Sequence, residues 1–418
     1  MLPEDWRIRA ISAIANVKTG PFGSALHERD YVDDETPIVT VEHLSEHGIR
    51  HQNLPLVSNR DRRRLKGYLL RRGDIVFSRV GSVDRNSLVS QEEDGWLFSG
   101  RLLRVRISSE DLTSARYLSY HLYTESFKKR VHSLAVGQTM ASLNTGILRA
   151  VQVVLPHVLE QRAIAAALSD VDELVESLAA LIAKKRVIKQ AAMQELLTGR
   201  TRLPGFGGEW ETRRLGELGT FTKGRGIARG DLRATGVRCV RYGELYTQYE
   251  NYVAKPKSRI PPEAADAALP IKKGDLLFAG SGETAEEIGV CLAYIGEEPA
   301  YAGGDIIVLR ASGQDAVYLA HLLNAPVTVR QKARMAQGDA IVHIRADHLA
   351  EVELALPPLP EQRGIANVLS DMDAEITALE HRLDKTRAIK QGMMQQLLTG
   401  SIRLPIPEDE TRDDDHDA

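Results

Sequence analysis

Three histidines, His43, His47 and His51, stand four residues apart, the spacing that would set metal ligands along one helical face. Gly48 falls among them and interrupts such a helix, and the aligned positions in the second half are Glu244, Gln248 and Tyr252. No metal site is therefore expected, and the histidines read as solvated. The glycine-bearing stretch "GSGETAEEIG" from Gly280 lacks the strand-to-helix spacing of a cofactor loop. The sequence also lacks a phosphate-cradling GxxxxGK[ST], a dinucleotide GxGxxG after a strand, an HExxH and an (N/D)PP(Y/F). No catalytic constellation and no bound cofactor are expected. Chemistry must come from partners, with this chain positioning them.

The positioning elements are repeated. "IKQAAMQELLTG" from Ile188 returns as "IKQGMMQQLLTG" from Ile389, 201 residues later. Leu155 to Pro204 aligns without a gap on Leu356 to Pro405, with 26 of 50 positions identical. The chain is an internal duplication. In the first copy Ile164, Leu168, Val171, Val175, Leu178 and Ile182 alternate steps of four and three. Ile365, Leu369, Met372, Ile376, Leu379 and Leu383 do the same in the second. That is a coiled-coil seam. Past Lys185 and Thr386 the register slips, and Ile188, Leu196, Ile389, Met393 and Leu397 are expected to keep one apolar face. Gly199 and Gly400 end the helices, with Pro204 and Pro405 beyond. Each helix of about 39 residues would be about 58 Å long.

The blocks before the helices are more distantly related. "WRIRAISAIANVKTGPFG" parallels "WETRRLGELGTFTKGRGI", and "RRGDIVFSRVGS" parallels "IKKGDLLFAGSGE". Short alternating strands, glycine turns and a few helices give an α+β class. Predicted segments are a globular domain over 1–154, a helix over 155–202, a second globular domain over 203–355, a helix over 356–404 and a tail over 405–418. The joint "RTRLPGFGGE" reaches at most roughly 35 Å, so the second helix must run back antiparallel to pair its seam. Two globular domains held apart by an antiparallel coiled coil, with pseudo-two-fold symmetry, are the expected architecture.

The formal net charge is −3, but the tail from Pro407 holds seven acids and one arginine, which leaves +3 on residues 1–406. The tail composition predicts a solvated, disordered segment. No apolar run approaches the 18 or so residues that span a bilayer, and no leader-like segment opens the sequence. Two cysteines, Cys239 and Cys291, make no disulfide framework. No membrane partner and a cytoplasmic location are the expectations.

Two divergent globular domains alternating with two near-identical helices resemble the specificity subunit of type I restriction-modification enzymes. The resemblance rests on "LPPLPEQRGIANVLSDMD", "IKQGMMQQLLTG" and their first-half copies, on the "GD(I/L)(V/L)F" strand, and on "AVGQTMASLNTGILRAVQVVLP". It covers the chain up to the acidic tail. It implies that each globular domain is a target-recognition domain reading one half of an asymmetric, bipartite double-stranded DNA sequence. It also implies that the helices fix the spacing and dock two modification (methyltransferase) subunits, with restriction (translocase and nuclease) subunits completing the complex. S-adenosylmethionine, and ATP with Mg, would then belong to the partners. Other readings are a stand-alone nuclease or methyltransferase, a protein-only coiled-coil scaffold, or the specificity subunit of a methyltransferase without a restriction partner.

DNA contact calls for Lys or Arg on phosphates and Arg, Asn, Gln or Ser on base edges. Three loops in each half supply them. The opening turn offers Lys18 in one half, and Lys223, Arg225 and Arg229 in the other. The loop after the "GD" strand offers Ser78, Arg79, Ser82, Arg85 and Asn86, against Ser281, Glu283 and Thr284. The glycine loop offers Gln138, Thr139, Ser142 and Asn144, against Asp339, His343 and Arg345. The three histidines are also DNA-facing in this reading, and "NRDRRRLKGYLLRR" is a further basic stretch. The repeat residues Gln161, Arg162, Lys189 and Gln190, with Gln362, Arg363, Lys390 and Gln391, are the expected partner contacts, because one surface present twice suits one partner bound twice.

Overall fold

The computed structural model describes residues 2–46, 48–137, 141–338 and 341–405. His47, Gln138, Thr139, Asp339 and the acidic tail, all singled out above, lie outside the described residues. The chain divides into two compact units, one holding Met1–Ala179 with His381–Ala418, the other Ala180–Glu380. Each of the long helices, Val158–Leu196 and Leu359–Leu397, contributes one half to each unit.

The reason for that division is antiparallel pairing. In the first unit Leu397 and Leu398 share a core with Ile164, Ala165 and Leu168; in the second, Leu196 and Leu197 share one with Ile365, Ala366 and Leu369. Most seam positions are buried, among them Val175, Leu178, Ile182, Ile376 and Leu383. Ile188 and Ile389 depart from expectation. They are 43% and 49% exposed, because after the register slips the buried face passes to Leu196, Leu197 and their copies.

The globular parts are α+β and repeat one topology. In the first unit an antiparallel sheet runs in the order Ala15–Thr19, Leu102–Ile107, Ile75–Ser78, Asn86–Leu88. In the second the order is Gly219–Lys223, Ile306–Ala311, Asp275–Ala279, Cys291–Tyr294, with Tyr252–Val253 added in parallel at the edge. The central strands "DIVF" and "DLLF" are almost wholly buried, which accounts for their apolar runs. Each unit adds a second small sheet, and each ties its first strand to the strand entering its long helix: Arg7–Ala10 pairs with Gln152–Leu155, Glu211–Arg214 with Glu353–Leu356.

The "LLTG" corners end the helices by the expected device, with a second constraint added. Gly199 and Gly400 have φ of +70° and +73°, where a side chain is strained. A Cβ at Gly199 would also stand 3.2 Å from the Trp210 ring, and one at Gly400 would stand 2.5 Å from Pro3 and 3.3 Å from Trp6. The two tryptophans therefore close on the same corner in both units.

Candidate nucleic-acid interface

In the first unit the three polar loops meet. The Gly20 N–H donates to the Leu102 carbonyl at 3.0 Å, which lays the turn through Phe22 against Gly100. Arg79 pins the arrangement. Its backbone N–H donates to Arg101 at 2.9 Å, its Nε to the Leu143 carbonyl and its Nη1 to the Gly100 carbonyl, both at 3.2 Å. Its guanidinium centre lies 5.7 Å from the Phe22 ring centroid. Gly81 donates to Ala141 at 2.9 Å, and Val80 bridges to Ser142, so the glycine loop joins. An open groove of about 960 Å³ results, lined by Arg79, Arg85 and Arg101 with Phe22, Glu28 and Glu42. Arginines presented from rigid loops suit phosphates and guanine edges.

The second unit repeats the junction with different side chains. Gly224 donates to Ile306 at 2.7 Å, Gly280 to Asp305 at 2.7 Å, and Ile344 to Gly280 at 3.0 Å. These are the counterparts of Gly20, Arg79 and Leu143. Ser281–Gly282 pairs with Val342–His343, and Ser281 Oγ lies 3.0 Å from His343 Nδ1. Where the first junction has Arg79 and Arg101, the second has Gly280 and Asp305, with Lys223, Arg225, Arg229, Thr284 and His343 exposed around it. The backbone frame is shared, while the chemistry it presents differs.

Several expected contacts need correction. Ser78 and Asn86 are fully buried. The Ser78 hydroxyl donates to the Ser82 carbonyl and accepts from Arg85 N–H, while Asn86 Oδ1 accepts from Ser119 Oγ, so both shape the loop from inside. Lys18 donates to the Gly67 carbonyl at 2.8 Å and sits 4.2 Å from the Tyr68 ring centroid. Its partial burial, then Arg104 and Arg106, hold its pKa below the usual lysine range. Asn144 is exposed but caps the helix Thr145–Ala150 by accepting from Ile147 N–H at 2.8 Å. Ser281 is buried beneath His343, and Arg345 is held by Asp347. Ser82 and Arg85 are exposed in the first loop. His43 is neither solvated nor DNA-facing: it is buried, with Nδ1 2.9 Å from Thr40 Oγ1. Arg101, exposed in the groove lining, was not singled out in the sequence, because in "SGRLLRVR" nothing separates a loop arginine from its strand neighbours.

His51, Glu92 and Glu93 have metal-ligand proximity. The imidazole turns Nε2 to Glu93 at 2.7 Å and Nδ1 towards Glu92 at 3.7 Å. The two ring nitrogens thus face different carboxylates.

On the helices, half of the expected partner contacts face inward. Gln161 accepts from Ser114 N–H at 2.9 Å and donates to the Pro156 carbonyl at 2.9 Å. Gln362 does the same with Asp315 at 3.0 Å and Pro357 at 2.9 Å. Beside them Glu160 and Glu361, both 0% exposed, hold Arg403 and Arg202, each stacked over Trp6 or Trp210. Lys390 reaches Asp172 and Glu46, each at 2.7 Å, and Lys189 reaches Asp373 and Glu250. Burial works against the Lys189 charge, but Asp373 and Glu250 outweigh it, and its pKa lies above the usual lysine range. "EQR" and "IKQ" are thus repeated in large part because each unit needs the same internal clamps. Arg162, Gln190, Arg363 and Gln391 are exposed.

A duplicated pair of loop-built polar junctions, each mounted on paired long helices, defines a two-domain recognition protein. Residues 3–184 and 207–386 each match the type I restriction modification DNA specificity domain, and the chain belongs to that family. It is a non-catalytic subunit that recognises DNA sequence within a multi-subunit complex. The type I restriction enzyme MjaVIII specificity subunit of Methanocaldococcus jannaschii is 21% identical, covering 96% of this chain and 94% of that one. The MjaX specificity subunit of the same organism is 23% identical, covering 96% and 95%. The S subunit from M. genitalium has the same fold, with a TM-score of 0.61 at 15% identity over 95% and 97% of the two chains. A chain from a type I restriction-modification assembly gives 0.55 at 16% identity over 96% and 100%. Among the described residues no helix is long and apolar enough to cross a membrane.

Proposed function

We propose that the chain reads an asymmetric, bipartite double-stranded DNA target, one half through residues 1–154 and the other through 203–355, and docks two methyltransferase subunits. One observation carries this reading: the same three-loop junction occurs twice, pinned from within by Arg79 in one copy, and it exposes Arg101 there but Asp305 in the other. Identical scaffolds presenting different donors and acceptors select different bases. The exposed contacts are then Ser82, Arg85, Lys223, Arg225, Arg229, Thr284 and His343, joined by Arg101.

For the partners, the supporting feature is identity at exposed helix positions, which core packing does not require. Arg162, Ile188, Gln190 and Gln194 match Arg363, Ile389, Gln391 and Gln395, and all are exposed. S-adenosylmethionine, and ATP with Mg, belong to the partner subunits in this account, restriction subunits join the complex where they exist, and the cytoplasm is the site of action. The test is a gel shift of the full chain with its methyltransferase partner on random duplexes under titrated salt. A salt-sensitive nonspecific complex, displaced by one bipartite sequence, is expected. Salt-independent behaviour with no preferred sequence would contradict the reading.

A further inference from the structure

Lys332, on the helix Pro326–Arg334, is 1% exposed. Burying an ammonium is costly unless it is well paired, and apolar replacements at such positions are often neutral or stabilising. The repeat supplies that alternative, since the counterpart 201 residues earlier is Val131, also buried. The lysine therefore answers a need that the first domain does not have.

Its contacts identify that need. Lys332 Nζ donates to the Gly289 carbonyl at 2.5 Å. Gly289 closes the loop that starts at Gly280, returning its N–H to the Ala279 carbonyl at 3.1 Å. It has φ of +67°, and a Cβ there would stand 3.2 Å from Lys332 Cδ, so the loop end rests on the lysine stem. The same loop carries Ser281 and Thr284 and pairs with Val342–His343. In the first domain the corresponding loop is tied by the Ser78 hydroxyl, and the counterpart of Ser78 is Ala279. One domain fastens its reading loop with a serine; the other lacks that serine and has a buried lysine where its twin has valine.

We propose that Lys332 is a positioning residue for DNA specificity, its ammonium holding the Gly280–Gly289 loop of the second domain in the shape that reads its half-site. This rests on the proposed reading of that loop as a DNA contact. Burial pushes the Lys332 pKa down to about 8, against a smaller opposing effect from Cys291. The one ionisable group that acts on it is the Cys291 thiol on Cys291–Tyr294, itself pushed up to about 12 by burial, while Glu283, Glu286 and Glu287 of the loop are exposed to solvent. His348 and Asp347, the latter paired with Arg345, lie on Ala346–Ala350. Loss of the lysine proton weakens a charge-assisted bond to a neutral one, so the loop should loosen above about pH 8.

The test uses the full chain with its partner subunits and duplexes carrying the motif found by methylome sequencing, altered singly in either half. For the wild type, discrimination in the second half should fall roughly tenfold between about pH 7 and 9.5, the scale of one lost base preference. First-half discrimination should hold. Lys332→Met keeps a stem under Gly289 but removes the donor; it should be low and pH-independent in the second half, with an unfolding temperature no lower than wild type. Wild-type discrimination with a wild-type pH profile in K332M would overturn the proposal, as would equal loss in both halves. A wild type that discriminates in neither half would remove the functional reading itself, a distinguishable result.

Discussion

Replacing Lys390 by methionine separates an internal clamp from a docking surface. The ammonium is 7% exposed and bonds Asp172, itself 12% exposed, and Glu46, each at 2.7 Å, with the Tyr120 ring centroid 5.8 Å away. K390M takes the ammonium away from a carboxylate that keeps the Tyr120 hydroxyl at 2.7 Å. Removing one partner of a buried pair costs about 3–5 kcal/mol; with Glu46 more exposed and the tyrosine retained, about 3 kcal/mol is expected here. For a unit of this size that corresponds to a fall of about 6–12 °C in unfolding temperature. Calorimetry of the full chain measures it, and Asp172→Asn in the same chain should recover about 2 kcal/mol, as a coupled pair does. Partner binding well below the transition should stay within about threefold of wild type, a difference under roughly 1 kcal/mol. An unchanged unfolding temperature together with a tenfold loss of partner binding would refute the internal assignment.

Other consequences are open to direct measurement. Ile188→Glu and Ile389→Glu, at exposed positions, should leave stability within about 0.5 kcal/mol while each removes one bound methyltransferase subunit, as read by native mass spectrometry. His121 and His321 are buried, and burial pushes both pKa values down to about 4. The unfolded chain therefore binds the extra protons, and the stability from each, on the order of 3 kcal/mol, is full above about pH 6.5 and lost as pH falls towards 4; His121→Phe should flatten part of that slope in urea titrations. Lys332 carries the same sign in a higher window: its folded pKa of about 8 lies below the unfolded value, so stability should rise between about pH 8 and 10.5 in wild type and not in K332M.

The long helices, their stops and the "GD" strands were legible in the sequence because periodicity and glycine placement follow from backbone geometry alone. The three loops were also legible as a set, since polar, glycine-bearing segments that differ between two copies mark where the copies diverge. Direction within those loops was not. Ser78 and Ser82 are the same residue type four positions apart, yet one is buried and one exposed, because the hydroxyl of the first fastens the backbone of the second. Repetition misled in a different way. Gln161, Gln362, Lys189 and Lys390 are identical between copies because each unit rebuilds the same clamp, a demand visible only once antiparallel pairing brings Asp172 to Lys390 and Asp373 to Lys189. The exposed Ile188 and Ile389 show the converse, an apolar pair in heptad-like spacing that packing does not use.

Sequencing the methylome of cells in which residues 1–154 have been exchanged for those of another family member tests two independent readers most directly. One half of the methylated motif should change to the donor's half and the other should stay as it was, with the spacer between them unaltered. Simultaneous change of both halves, or an unchanged motif, would contradict the account.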